Sequence, residues 1–221
     1  MAQGYVFDAY GTLFDVHAAI ARHRKAAGPD ADRFSETWRA KQLEYTWTLT
    51  LAGRYVDFWT LTERALDFAL ARFPSISRAL RPNLLDAYLT LDAYPEAAAV
   101  LRELKAQGHA TAILSNGAPA MLESAVRAAK LMDALDVVLS VDAIRIYKPR
   151  REVYALASNH FKLAPADIIF VSSNRWDIMG AQAFGFRTVW INRGGAPEEY
   201  DMPAQSMFTD LNGLLFPQLR N

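Results

Sequence analysis

Polar side chains that could do chemistry follow several short apolar runs of the sequence. They are Asp8, Ser115, Asn116, Lys148, Ser172, Asn174 and Asp177. Together in one crevice, they would offer a carboxylate nucleophile, an ammonium group, hydroxyls and amides to a small substrate. Each residue alone also has an ordinary explanation, because polar residues are common in the turns after strands. The repetition of this pattern along the chain favours a shared site.

The apolar runs themselves are typical of buried parallel strands. They read YVF, TAIL, DVVLS, DIIFV and TVWI, and helical patterns lie between the later ones. Alternating strands and helices predict an α/β fold, a Rossmann-like doubly wound parallel sheet covered on both faces. Ligands of such sheets lie at the carboxyl ends of the strands, where these polar side chains stand.

A long stretch without any strand signal separates the first run from the second. It contains helical patterns rich in Trp and Tyr, such as FSETWRAKQLEYTWTL. A loop of this length without structure is implausible in a compact domain. We therefore expect a core domain of residues 1–15 and 92–221, with residues 16–91 inserted after the first strand as a helical cap.

Composition limits the classes of partner and chemistry. The 221 residues carry 24 basic and 24 acidic side chains, so nothing favours nucleic acid or an anionic membrane as a partner. The absence of cysteine excludes disulfides, thiolate nucleophiles and cysteine-ligated metals. No apolar run reaches the ~18 residues of a membrane span, and the first residues do not resemble a signal peptide. The sequence thus predicts a cytoplasmic protein.

Four segments, DAYGTLFD, LSNG, IYKP and FVSSNRWD, together resemble the four motifs of the haloacid dehalogenase superfamily. The likeness is specifically to the type II L-2-haloacid dehalogenases, and it includes WRAKQLEYTW in the helical insert. It spans nearly the whole chain. The resemblance implies hydrolysis of short-chain L-2-haloalkanoic acids to D-2-hydroxy acids, with inversion at C2.

Two positions differ from the phosphatases that make up most of this superfamily. The phosphatase motifs are similar to DxDGT and GDS, and their acids hold a magnesium ion. Here Tyr10 replaces the second Asp of the first motif, and Ser173 replaces the metal-binding Asp of the fourth. We therefore expect no metal and no other cofactor. A carbon that bears a halogen suits such a site better than a phosphate dianion, because halide leaves without a proton.

The resemblance assigns catalytic roles to residues of the core and the insert. These residues are Asp8, Lys148, Asp177, Asn174, Ser172, Thr12 and Arg39. Asp8 would attack C2 to form an aspartyl ester, and water would then attack the ester carbonyl. Lys148 would keep Asp8 charged and aimed, and Thr12 would hydrogen-bond to it. Asp177 is the expected base for the water, although it could also cap the helix that follows.

The resemblance also implies a small-molecule haloacid as the partner and a set of residues that bind it. That set is Ser115, Asn116, Tyr10, Arg39, Tyr154, Phe58 and Trp176, with Trp38, Tyr45, Trp47 and Trp59 as further pocket-drying aromatics. Arg39 would receive the departing halide and the incoming carboxylate. Tyr154 could equally be a core residue. We expect Ala40, which departs from the family pattern, to alter the pocket.

Two other classes of protein stay open at this point. One is a magnesium-dependent phosphatase of the same fold, against which Tyr10 and Ser173 argue. The other is a binding protein that kept the fold without catalysis, against which Asp8, Lys148 and Asp177 argue. The resemblance implies a homodimer, and residues 43–55 could supply its apolar face or could be core.

Overall fold

A computed structural model describes residues 4–216, and the strands among them form one sheet. The strands are β1 (Gly4–Phe7), β2 (Ala110–Ser115), β3 (Val137–Ser140), β4 (Ile168–Ser172), β5 (Arg187–Ile191) and β6 (Ser206–Phe208). All pairings are parallel, in the order β3-β2-β1-β4-β5-β6. This confirms the predicted α/β class. The sequence did not predict β6, because its three residues SMF form no apolar run.

Helices pack on the sheet and fill the connection after β1. They are α1 (Ala18–Ala21), α2 (Arg24–Ala27), α3 (Ala31–Leu51), α4 (Phe58–Arg72), α5 (Arg81–Leu89), α6 (Ala97–Ala106), α7 (Pro119–Ala128), α8 (Arg151–Phe161) and α9 (Arg175–Phe184). Every residue of β1 and β4 is buried. Since successive strand residues point to opposite faces, both faces of the central sheet are covered.

The aromatic-rich stretch between β1 and β2 folds as helices. The α3 and α4 helices are tied by polar contacts in an otherwise apolar interior. Trp38 Nε1 donates to the carbonyl of Thr62 at 2.9 Å, and Gln42 Nε2 donates to Thr62 Oγ1 at 2.9 Å. Tyr88 of α5 joins them by donating to Gln42 Oε1 at 3.3 Å. The assignment of residues 16–91 to a separate cap stays a prediction.

The chain leaves the sheet and returns to it along one pair of extended segments. The amide of Asp15 donates to the carbonyl of Asp92, and the amide of Tyr94 donates to the carbonyl of Leu13, both at 2.9 Å. These contacts bring the outgoing and returning chain together beside the carboxyl end of β1. None of the helices in the described part of the chain is long and apolar enough to span a membrane.

Candidate active site

The centre of the site is Asp8, directly after the central strand β1. Its side chain is only 8% exposed, and its amide donates to the carbonyl of Val171 in β4 at 2.9 Å. The chain then turns at Gly11, whose φ of 94° favours glycine. This turn brings Thr12 back, so that its hydroxyl donates to Asp8 Oδ2 at 3.3 Å. Asn174 Nδ2 donates to the same oxygen at 2.8 Å.

Lys148 lies between two carboxylates. Its Nζ is 3.1 Å from Asp8 Oδ1 and 2.8 Å from Asp177 Oδ2, and the lysine side chain is fully buried. Burial alone would lower the pKa of Lys148, but the charges of Asp177 and Asp8 outweigh it and raise the pKa. The ammonium group is therefore charged at neutral pH. The three residues form a buried cluster in which one cation faces two acids.

Asp177 is fully buried beside Lys148. Burial raises its pKa to about 6, with Lys148 acting in the opposite direction and the charge of Asp8 adding to the rise. Tyr154 donates from its hydroxyl to Asp177 Oδ1 at 2.7 Å. The N-cap of α9 is Asn174, and Asp177 lies inside the helix, so capping does not explain this acid.

Tyr154 belongs both to the core and to this cluster. Its ring, fully buried, makes edge contacts with Phe170 and Phe186, with centroids 5.6 and 6.0 Å apart. Its hydroxyl lies so close to Gly180 that a Cβ there would collide with it. The described contacts of the hydroxyl are all to Asp177. Direct contact of Tyr154 with the substrate stays a prediction.

Ser115 is the last residue of β2 and Asn116 directly follows it, and both are buried. Ser115 Oγ accepts the amide of Gly117 at 3.0 Å, and Asn116 Oδ1 accepts the amide of Lys148 at 3.0 Å. Within residues 4–216, the Ser115 hydroxyl proton and the Asn116 amide group have no acceptor. They are therefore free to donate to an anionic ligand. Gly117 allows the ring of Tyr10 to approach, because a Cβ would lie 2.7 Å from Tyr10 Cε2.

The helical insert contributes one cation and an aromatic wall. Arg39 of α3 donates from Nη2 to the carbonyl of Tyr10 at 3.1 Å, and it lines a cavity of about 390 Å³ together with Asn174 and Trp176. The Tyr10 ring packs against Phe58, with ring centroids 5.9 Å apart. Burial raises the pKa of Tyr10 well above its usual value, so its hydroxyl stays neutral.

Of the other aromatic residues that were predicted to line the pocket, some lie at the aromatic wall and others lie in the interior. Trp47 meets Trp176 edge to face at 5.4 Å, whereas Trp38 is buried. Tyr45 and Trp59 are partly buried against the core. Ala40 is exposed to solvent, so the structure does not support the expected effect of this residue on the pocket.

Sequence reasoning missed the structural roles of Ser173 and Tyr88. The amide of Ser173 donates to Thr12 Oγ1 at 2.9 Å and its hydroxyl donates to the carbonyl of Gly11 at 2.6 Å, which fixes the turn after Asp8. Tyr88 stacks on Tyr10 with centroids 5.7 Å apart. The predicted Ser172 is buried, and its Oγ accepts the amide of Asn174 at 3.1 Å.

The donors around Asp8 are amide, hydroxyl and ammonium groups. The carbonyl of Tyr10 accepts hydrogen bonds from both Asn174 Nδ2, at 3.2 Å, and Arg39. Among residues 4–216, no three His, Asp or Glu side chains lie together as a metal site would require. The oxygens at the centre of the site are thus engaged by N–H and O–H donors of the chain itself.

Known proteins resemble this chain over almost its full length. The family model described as haloacid dehalogenase-like hydrolase matches residues 2–185. The (S)-2-haloacid dehalogenase 1 of Pseudomonas sp. (strain CBS-3) is 52% identical, with 97% of this chain and 94% of that protein covered. The crystal structure of a dehalogenase superposes with a TM-score of 0.94 at 46% identity, covering 96% of this chain and 95% of that one.

A further solved structure has a small molecule covalently bound. It is the L-2-haloacid dehalogenase from Xanthobacter autotrophicus with chloropropionic acid covalently bound, 37% identical, with a TM-score of 0.88. The superposition covers 100% of this chain and 98% of that one. With this agreement in sequence, fold and length, the chain belongs to the haloacid dehalogenase-like hydrolases.

Proposed function

We propose that this protein is an (S)-2-haloacid dehalogenase that hydrolyses short-chain L-2-haloalkanoic acids to D-2-hydroxy acids. The observation that carries the proposal is the buried carboxylate of Asp8. One of its oxygens faces Lys148 Nζ at 3.1 Å, and the other accepts from Asn174 and Thr12. Relatives that are 52% and 49% identical are named (S)-2-haloacid dehalogenases. A buried carboxylate that is oriented by its partners suits attack on carbon better than a solvated one does.

The first step is a displacement at carbon. An oxygen of Asp8 attacks C2 from the side opposite the halogen, the carbon–halogen bond breaks, and halide leaves with the electron pair. C2 is inverted and an aspartyl ester forms. Ser115 and Asn116 would bind the substrate carboxylate through their free donors, and Arg39 would receive the halide. No proton is needed by the leaving halide, which fits a neutral Tyr10 where the phosphatases have an acid.

The second step is hydrolysis of the ester at Asp8. Asp177 takes a proton from water, and the water oxygen adds to the ester carbonyl carbon of Asp8. The bond between that carbon and the ester oxygen then breaks, the leaving alkoxide takes the proton held by Asp177, and the second proton of the water passes to solvent. C2 therefore keeps its inverted configuration in the D-2-hydroxy acid. The donors Asn174 and Thr12 lie where negative charge develops on the carbonyl oxygen. The released Asp8 carries one oxygen from water.

The experiment is halide release from L-2-chloropropionate with and without EDTA. We expect chloride release that survives EDTA, with little release from the D enantiomer. Single turnover in ¹⁸O-water should place the label in the peptide that contains Asp8. Asp8→Asn is the matched control and should abolish both signals. EDTA-sensitive hydrolysis of p-nitrophenyl phosphate without chloride release would instead support a phosphatase.

A cytoplasmic location, a homodimer and a separate cap of residues 16–91 are further proposals. For the dimer, Leu51 at the end of α3 is 88% exposed within the stretch 43–55, which offers an apolar group to a second copy. Light scattering during gel filtration would measure the mass, and Leu51→Glu should shift a dimer toward monomer. A wild-type protein that elutes as a monomer would contradict the dimer.

A further inference from the structure

Arg193 lies outside the residues predicted from sequence, two positions beyond the end of β5. Its Nη2 is 2.7 Å from Glu96 Oε1, and its guanidinium carbon lies 3.6 Å from the ring centroid of Tyr94. The same nitrogen donates to the carbonyl of Thr12 at 3.4 Å. The side chain is 22% exposed and that of Glu96 is 13% exposed. One guanidinium group thus contacts three residues from two separate parts of the chain.

Those two parts are the outgoing and the returning segment beside β1. Thr12 lies on the outgoing chain, in the turn that holds Asp8. Tyr94 and Glu96 lie on the returning chain, where the amide of Tyr94 donates to the carbonyl of Leu13. Arg193 therefore joins the nucleophile turn to the point where the helical insert rejoins the sheet.

The contact with Thr12 matters because Thr12 is itself engaged at the reacting group. Its hydroxyl donates to Asp8 Oδ2 and accepts from the amide of Ser173. Arg193 also lines the cavity that Arg39 and Asn174 line. A shift of the Thr12 backbone would move the hydroxyl relative to Asp8, and small misplacements at a reacting group are costly.

We infer that Arg193 is a positioning residue for the proposed dehalogenation, which acts by fixing the backbone of Thr12 against Tyr94 and Glu96. This inference rests on the proposed function. Arg193 binds the carbonyl of Thr12, whereas the amide of Ser173 binds its hydroxyl, so the two contacts together hold the Thr12 hydroxyl on Asp8. The planar guanidinium group lies on the ring while its N–H groups make the ion pair, whereas the compact ammonium of a lysine has no flat face to stack.

The test is the rate of ester formation in a single turnover. Arg193→Gln should slow it roughly tenfold, within the ~10²-fold that a misplacement of 1 Å can cost. Arg193→Lys should restore part of the ion pair but not the rate. Glu96→Gln, which removes the partner of Arg193, should slow the rate in the same direction but less.

A double-mutant cycle with Thr12→Val distinguishes an effect of Arg193 on the position of Thr12 from a general loosening of the helical insert. If Arg193 acts through Thr12, Arg193→Gln should slow the Thr12→Val enzyme by less than about twofold, because residues that act together are non-additive. Thr12→Ala, which also removes the hydroxyl, serves if the valine variant does not fold. Equal factors in both backgrounds would overturn the inference.

The matched control is Arg22, which clamps the same returning chain but does not contact Thr12. Its guanidinium binds Asp92 and the carbonyl of Thr90. Arg22→Gln should lower the melting temperature and leave the rate of ester formation unchanged. An equal loss of rate in both variants would show only that the insert had loosened. A wild-type protein without halide release would overturn the proposed function, whereas an active wild type with an unaffected Arg193→Gln variant overturns this inference alone.

Discussion

The sheet edge and the helical insert build opposite sides of one site by different physical means. At the edge, Asp8, Lys148 and Asp177 form a buried cluster in which each charged group has charged or hydrogen-bonding partners. On the insert side, Phe58 and Tyr88 pack against Tyr10, and Arg39 supplies the cation. The sheet edge of the site is held together by charged groups in a medium of low polarity, whereas the insert side is formed mainly by the packing of aromatic rings. Substitutions on the two sides should therefore fail in different ways.

The substitution that should separate the two sides most is Lys148→Met. It leaves two carboxylates buried together without their cation, so the free energy of unfolding should fall by about 3–5 kcal/mol. Halide release should fall by ~10⁴-fold or more, because nucleophile and base share this one cation. Denaturant unfolding and halide release measure the two effects. Lys105→Met is the control, since its pair with Asp136 is more than a third exposed and should contribute at most about 1 kcal/mol.

Asp177→Asn should have the next largest effect, and mainly on the second step. Loss of the base should slow ester hydrolysis by about 10²–10⁴-fold. Ester formation should be slowed much less, so the covalent ester should accumulate and be visible by mass spectrometry of the peptide containing Asp8. If both steps slowed equally, Asp177 would be acting on the nucleophile rather than on water.

Tyr154→Phe should shift the pH dependence of ester hydrolysis. The pKa of Asp177 is about 6, so hydrolysis in the wild type should decline as the pH falls through that value and the base takes up a proton. The tyrosine hydroxyl stabilises the charged carboxylate; removing it raises the pKa of Asp177 further and moves the decline to higher pH. A hydrogen bond to a charged group is worth about 1.5 kcal/mol or more, which is about one pKa unit, so at neutral pH the rate should fall by about twofold or more.

Tyr147→Phe is the control for that shift. Tyr147 is also fully buried, but its hydroxyl donates to the carbonyl of Val56 at 2.6 Å and does not contact Asp177. The pH profile of this variant should match that of the wild type. An unshifted profile in Tyr154→Phe would mean that a different group limits the rate in acid.

Tyr10→Phe should have the smallest effect. The Tyr10 hydroxyl is buried and has no partner among the described residues. Removing a buried polar group that has no partner should leave halide release within about twofold and raise the free energy of unfolding by up to ~1 kcal/mol. A large loss of activity would show that the Tyr10 hydroxyl takes part in the chemistry.

Local pattern was enough to predict the strands around β1 and the helices of the insert. Parallel strands end at one edge, so the pattern of strands and polar residues is enough to predict that Asp8, Lys148 and Asn174 meet there. Pattern could not predict β6, which is too short and too polar. Pattern also left the effect of Ala40 open, because a single departure from a family pattern does not say which way a helical residue faces.

The amino-acid sequence by itself determined the chemical groups and the order in which they leave the sheet. Only the tertiary structure decided that Tyr154 holds Asp177, that Asn174 serves both Asp8 and the Tyr10 carbonyl, and that Arg193 reaches Thr12. The physical reason is that each contact joins residues far apart along the chain. Their distance and burial, which also set the pKa of Asp177, exist only after the sheet and the insert have packed.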